Sequence, residues 1–162
     1  MRPSGVEEWP FPGGDPAGYV EALARAKANA VSGDVVIGAD TVVVLDDAVL
    51  GKPADVEEAA AMLQSLSGRE HDVITGVAVR QGADVRSAHA RARVTFRALE
   101  DGDIREYVAG GEPLDKAGAY AYQGGAGAFV TRLQGDADTV VGLPLKLLER
   151  LLPEALRRAR QR

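Results

Sequence analysis

The stretch VVIGADTVVVLDDAVLGKP, residues 35–53, is where the fold is decided. Its opening run is rich in valine and isoleucine, as a strand requires, yet Gly38, Ala39, Asp40 and Thr41 interrupt it. Glycine and aspartate are depleted in strands, and an ionised carboxylate buried without a partner costs several kcal/mol. Asp40 therefore needs a neighbour that offsets its charge. Asp46-Asp47-Ala48 reads as a turn, and Val49-Leu50 as the start of a return that stops at Gly51-Lys52-Pro53, which puts Lys52 at a hairpin end.

On either side of this hairpin, helical and strand periods alternate. The first 16 residues hold four of the eight prolines and three glycines, so an irregular lead-in is expected over residues 1–18. From Tyr19 to Val31 the apolar positions Val20, Leu23, Ala24 and Val31 follow a helical period, and Lys27 falls beside that stripe instead of opposite it. Asp55 with Glu58 three residues later resembles a capping box. It opens a helix whose face runs through Ala59, Met62, Leu63 and Leu66 to Gly68. Val73 to Val79 reads as a second strand. The run Ala88, Ala90, Ala92, Val94, Phe96 alternates strictly with polar and basic residues, which predicts a half-buried strand with a basic outer face. A short helix at Asp101 to Val108, a glycine-rich loop feeding a strand at Phe129 to Leu133, and a final helix from Leu143 to Arg158, with Pro153 within it, complete the chain. Strands interleaved with helices, some paired as antiparallel hairpins, argue an α/β or α+β fold in one domain of 162 residues.

The totals narrow the function. An apolar fraction of 46%, a charged fraction of 27% and 5% aromatics describe a globular chain with an aliphatic core. A net charge of −5 does not attract a polyanion, so a nucleic-acid-coating role is disfavoured and any phosphate site has to be built locally. The absence of cysteine removes disulfides, thiolate metal sites and cysteine nucleophiles. No run reaches the length of a membrane span, and MRPSGVEEWP lacks the basic and apolar regions of a signal peptide, so a cytoplasmic location without membrane contact is expected.

Three features could carry chemistry: Asp40 in its apolar strand, Lys27 and Lys52 at helix-stripe and hairpin-end positions, and Glu7-Glu8 in the lead-in. A converging Asp and Glu can hold a hard divalent cation through oxygen, and nearby lysines neutralise phosphate oxygens as point charges. Each has a plainer reading: a strand Asp as a hydrogen-bonded core acid, Lys27 as a snorkelling lysine, GKP as a turn, and the glutamates as solvated acids. His71 and His89 have no partner at ligand spacing. The Gly124 to Gly127 loop is neither a Walker motif nor a dinucleotide-binding fingerprint.

Several longer motifs agree together. GADTVV (38–43), GKP (51–53), EEAAAMLQSLSGREHDVITGVAV (57–79), VTFRAL (94–99), GEPLDKAGAYAYQG (111–124) and VVGLPL (140–145) resemble the Maf family of nucleoside triphosphate pyrophosphatases, in order and with natural spacing from about Val6 to Lys146. The resemblance implies an inosine-triphosphatase-like (Maf/Ham1) α/β fold: a mixed, elongated β-sheet flanked by helices, with two lobes around a cleft. It also implies hydrolysis of a nucleoside triphosphate to the monophosphate and pyrophosphate with Mg²⁺ or Mn²⁺. Carried over by motif, Asp40 binds metal and orients or deprotonates the attacking water, Glu8 supplies the second acid, and Lys27 and Lys52 meet the phosphates. A cation and two lysines around Asp40 would lower its pKa.

Thr41 and Gln123 resemble the branch of the family acting on dTTP and UTP. A glutamine amide offers both a donor and an acceptor to the O4 and N3–H edge of uracil or thymine. The alternatives are a 7-methyl-GTP or purine-selective enzyme, and a non-catalytic protein of septum formation and cell division. A homodimer is expected by family analogy. The family also opens with a strand, a Ser-x-Ser-Pro-Arg-Arg loop and a helix, and this sequence begins after that segment. Weak triphosphate binding and an uncovered sheet edge and helix face are therefore expected. Asp136-Ala137-Asp138-Thr139 stands where the family carries an aromatic and often an Asn or His, and no function attaches to it.

Overall fold

The structure, a computed structural model, describes residues 5–152. Five strands form one sheet in the order β2-β1-β3-β4-β5: β1 Val35–Leu45, β2 Ala48–Leu50, β3 Glu70–Gln81, β4 Asp84–Phe96 and β5 Val130–Gln134. Every pairing in it is antiparallel. The helices are α1 Pro16–Ala30, α2 Val56–Leu66, α3 Asp101–Ala109, α4 Ala137–Val141 and α5 Leu145–Leu151. The expected α/β architecture is present.

The alternation of β1 divides the sheet into two faces. Val36, Gly38, Asp40 and Val42 point toward α1, whose buried Ala17, Val20, Ala24 and Ala28 pack on Val42, Ile74, Val36 and Ala78. On the other face Val43, Leu45, Val73, Val94 and Phe96 join Leu63 and Leu66 of α2, Ile104 and Val108 of α3, and Tyr120 and Phe129 in the larger core. Two strand glycines explain why α1 lies so close. A Cβ on Gly38 would stand 2.1 Å from the carbonyl oxygen of Ala24, and one on Gly76 would stand 2.5 Å from that of Val20. Only glycine lets the helix backbone rest directly on the strands.

The elements depart from expectation at their ends. The lead-in stops at Asp15, whose carboxylate accepts from the amides of Ala17 and Gly18, with Pro16 as the first helical residue. β3 is longer than the apolar run Val73 to Val79, because it pairs with both neighbours out through Asp72 and Arg80, where polar residues hid the strand. The final helix begins at Leu145, two residues later than expected, and a separate short helix, α4, precedes it. Gly142, at φ 106°, ends α4 in the left-handed region, and Pro144 caps α5. Asp138 ties the break together, since its carbonyl accepts from the amides of Gly142 and Leu143 and its carboxylate from that of Leu145. Pro153 and the residues to Arg158 lie outside the described residues.

β2 covers the outer edge of β1 only from Val43 to Leu45. Among the described residues, no strand pairs with that edge from Val35 to Val42.

Candidate active site

Asp40 sits on the α1 face of β1 with its side chain 8% exposed. Its partner is Lys27, one of two lysines singled out from sequence. Lys27 Nζ donates to Asp40 Oδ1 at 2.5 Å and to Glu8 Oε1 at 2.7 Å. Lys52 Nζ reaches the same glutamate, 3.1 Å from Oε1 and 3.2 Å from Oε2. Asp40, Lys27, Glu8 and Lys52 thus form a chain of alternating charge at the partly uncovered edge of β1.

Each member has a local cause. Lys27 lies in the last turn of α1, one turn beyond Leu23 and Ala24, so the helix face that packs on Gly38 carries the lysine to Asp40. Lys52 follows β2 at the hairpin end, where the carbonyl of Gly51 accepts from the amide of Gly118. Glu8 comes from the proline-rich lead-in, held to α1 by aromatic packing. The rings of Trp9 and Phe11 meet Tyr19 edge-on at 6.5 and 5.2 Å, and the Tyr19 hydroxyl donates to the Trp9 carbonyl at 2.6 Å. The anchors were visible as aromatics inside EEWPFP, but only the fold shows what they grip.

In the chain alone the balance at Asp40 runs opposite to the one expected with a cation bound. Burial raises the pKa of Asp40, assisted by the charge of Glu8, and outweighs the hydrogen bond and attraction of Lys27 that act to lower it. For Glu8 burial again opposes ionisation, but bonds and charges from both lysines prevail and hold its carboxyl below the usual range. Lys27, despite burial, is raised by Asp40 and Glu8.

The donor set suits a hard cation only in part. Glu8 and Asp40 offer carboxylate oxygens, but the Lys27 ammonium bridges them, and among the described residues no group of three or more His, Cys, Asp or Glu side chains is placed to hold a metal. Two carboxylates would be enough for an ion such as Mg²⁺ only if its other oxygens came from phosphate and water.

Thr41 and Gln123 stand apart from this cluster. Thr41 follows Asp40 but faces the opposite side of the sheet, and its hydroxyl meets that of Thr75 at 2.8 Å. Gln123 is exposed on a loop held at both ends: the Ala121 amide donates to the Tyr107 hydroxyl at 2.9 Å, and the Gly125 amide to Glu112 Oε2 at 3.2 Å. Neither histidine is near the cluster. His71 Nε2 pairs with the Tyr120 hydroxyl at 2.8 Å, and His89 Nδ1 with Glu21 Oε1 at 2.7 Å. A separate polar hollow lined by Val44, Asp46, Glu70, His71, Asp72 and Arg93 shares no residue with the site.

The chain matches the Maf-like protein family over residues 1–155. It belongs to the Maf family. Curated relatives are similar in sequence, and the chain covers about four fifths of their length. A protein named dTTP/UTP pyrophosphatase from Pelotomaculum thermopropionicum is 54% identical over 155 residues, covering 92% of this chain and 81% of its own. Proteins of the same name from Anaeromyxobacter dehalogenans (50% identical, 96% and 82% covered) and Myxococcus xanthus (50%, 90% and 78%) are similar. In this Maf-family chain the sequence motifs GADT and GKP are the parts of the charged cluster that come from β1 and from the turn after β2.

Proposed function

We propose that this chain hydrolyses dTTP and UTP to the monophosphate and pyrophosphate, clearing nucleotides of this class from the pool. The observation that carries the reading is the convergence of Asp40, Lys27, Glu8 and Lys52 at 2.5–3.2 Å from four separate parts of the chain. Relatives about half identical to it bear the name dTTP/UTP pyrophosphatase.

In this reading the triphosphate takes over the lysines. Lys27 and Lys52 move from their carboxylate partners to phosphate oxygens, where point charges compensate the charge that builds on the leaving pyrophosphate. Asp40 orients the attacking water and receives its proton as the oxygen bonds to the α-phosphorus and the bond to the β-phosphate breaks. Glu8 and Asp40 would hold Mg²⁺ or Mn²⁺, which supplies further charge compensation on the phosphates. Thr41 and Gln123 contact the base. The test is pyrophosphate release from dTTP and UTP by the purified chain and by Asp40→Asn. Release that depends on Asp40 supports the reading, and release that survives its loss removes it.

A further inference from the structure

Thr41 is paired in register with Thr75 on β3, and the two Oγ1 atoms lie 2.8 Å apart. Thr75 is fully buried, and its Oγ1 stands 2.7 Å from the carbonyl oxygen of Thr139 in α4. A hydroxyl has one proton to donate and a carbonyl can only accept. Thr75 therefore donates to Thr139, and the bond between the threonines exists only if Thr41 donates to Thr75. The proton of Thr41 is committed to the interior. Its side is not sealed, since Thr41 remains partly exposed, so whatever meets the hydroxyl from outside finds lone pairs alone.

We propose that Thr75, through this relay, fixes Thr41 as a hydrogen-bond acceptor, so that a base carrying a ring N–H is selected there: N3–H of uracil or thymine over cytosine, whose N3 is itself an acceptor. The inference deepens the reading of Thr41 as a base contact and rests on it. Thr75 touches no substrate and is a positioning residue. Gly142 keeps the approach open, because a Cβ at that position, where φ is 106°, would stand 3.2 Å from Thr41 Oγ1. A ribose hydroxyl is the other donor a nucleoside triphosphate offers, but it is common to UTP and CTP and gives no preference between them.

The experiment compares kcat/KM for UTP and CTP in the wild type, Thr75→Val and Thr75→Ser. Valine keeps the volume but ends the relay, which frees the Thr41 hydroxyl to rotate and donate. The preference for UTP should fall about tenfold, chiefly through a gain on CTP, and serine should restore it. Parallel losses on both substrates with an unchanged ratio would mark Thr75 as merely structural and overturn the inference. If melting shows Thr75→Val unfolded, Thr75→Ser and Thr41→Val are compared instead: a UTP-to-CTP ratio kept by serine and lowered about tenfold in Thr41→Val supports the inference, and an unchanged ratio in Thr41→Val overturns it. A wild type that hydrolyses UTP and CTP equally also overturns it while leaving the pyrophosphatase reading in place. Hydrolysis of neither UTP nor dTTP removes that reading and the inference together.

Discussion

Lys27 and Asp40 form an ion pair of 2.5 Å across the contact between α1 and β1, with side chains 18% and 8% exposed. The pair answers why an apolar strand tolerates an acid at its centre, and it ties the candidate chemistry to the packing of one helix on one strand. Removing Lys27 leaves the buried Asp40 charge uncompensated, whereas neutralising Asp40 leaves Lys27 its bond to Glu8.

The two partners should therefore separate stability from activity. Lys27→Met is expected to lower unfolding free energy by about 3 kcal/mol and activity by about a hundredfold or more. Asp40→Asn, similar in shape and uncharged, should lose activity to the same extent while melting within a few degrees of the wild type. Denaturant unfolding beside steady-state kinetics checks both, and a destabilisation of Asp40→Asn equal to that of Lys27→Met would contradict the account.

The packing beneath the pair predicts a steric failure. In Gly38→Ala the new methyl would meet the Ala24 carbonyl oxygen at 2.1 Å, so α1 must lift from the sheet and carry Lys27 away from Asp40. A loss of about 3 kcal/mol or more is expected, with activity falling alongside. Ala39→Gly, at the neighbouring position on the other face, should cost far less activity.

Much of this was legible in residues 35–53. The hairpin, the buried acid that needs a partner, and the two lysines out of place on their elements all appear in the structure. What the residues alone could not show is distance in space: that Glu8, 19 residues before Lys27, returns to it depends on a tyrosine hydroxyl and two aromatic edges. That burial opposes ionisation of Asp40 in the chain alone was not legible for a related reason. Burial is a property of the packed α1 face, and a motif lists partners without saying how much water they exclude. α4 escaped notice because its five residues are too few to show a helical period.

A buried histidine sets a pH limit on stability. Burial lowers the pKa of His71 from 6.5 to about 4, against a weaker opposing pull from Asp72. The unfolded chain binds this proton more readily, so the contribution of neutral His71 is complete above pH 6.5 and is lost as pH falls from there toward about 4. The difference amounts to roughly 3 kcal/mol. Its Nδ1 is buried without a hydrogen-bond partner, which leaves no acceptor for a second proton. Unfolding of the wild type and of His71→Gln across this range should show a steeper decline in the wild type. Equal slopes would contradict the assignment.

The loop carrying Gln123 should affect recognition without affecting the fold. Because Gln123 is exposed, Gln123→Ala is expected to leave the melting temperature unchanged and to raise KM for UTP and dTTP about tenfold. Tyr107→Phe removes the hydroxyl that receives the Ala121 amide, and it should shift KM in the same direction through the loop. Titration of initial rates against substrate concentration distinguishes this from a change in kcat.

The most direct measurement is pyrophosphate release by the purified chain with Mg²⁺ or Mn²⁺ and dTTP, UTP, CTP, GTP or 7-methyl-GTP, with Asp40→Asn alongside. The account predicts release from dTTP and UTP above the other nucleotides, and its loss in the folded variant. Release from 7-methyl-GTP in preference to the pyrimidine nucleotides, or release that persists without the Asp40 carboxylate, would contradict it.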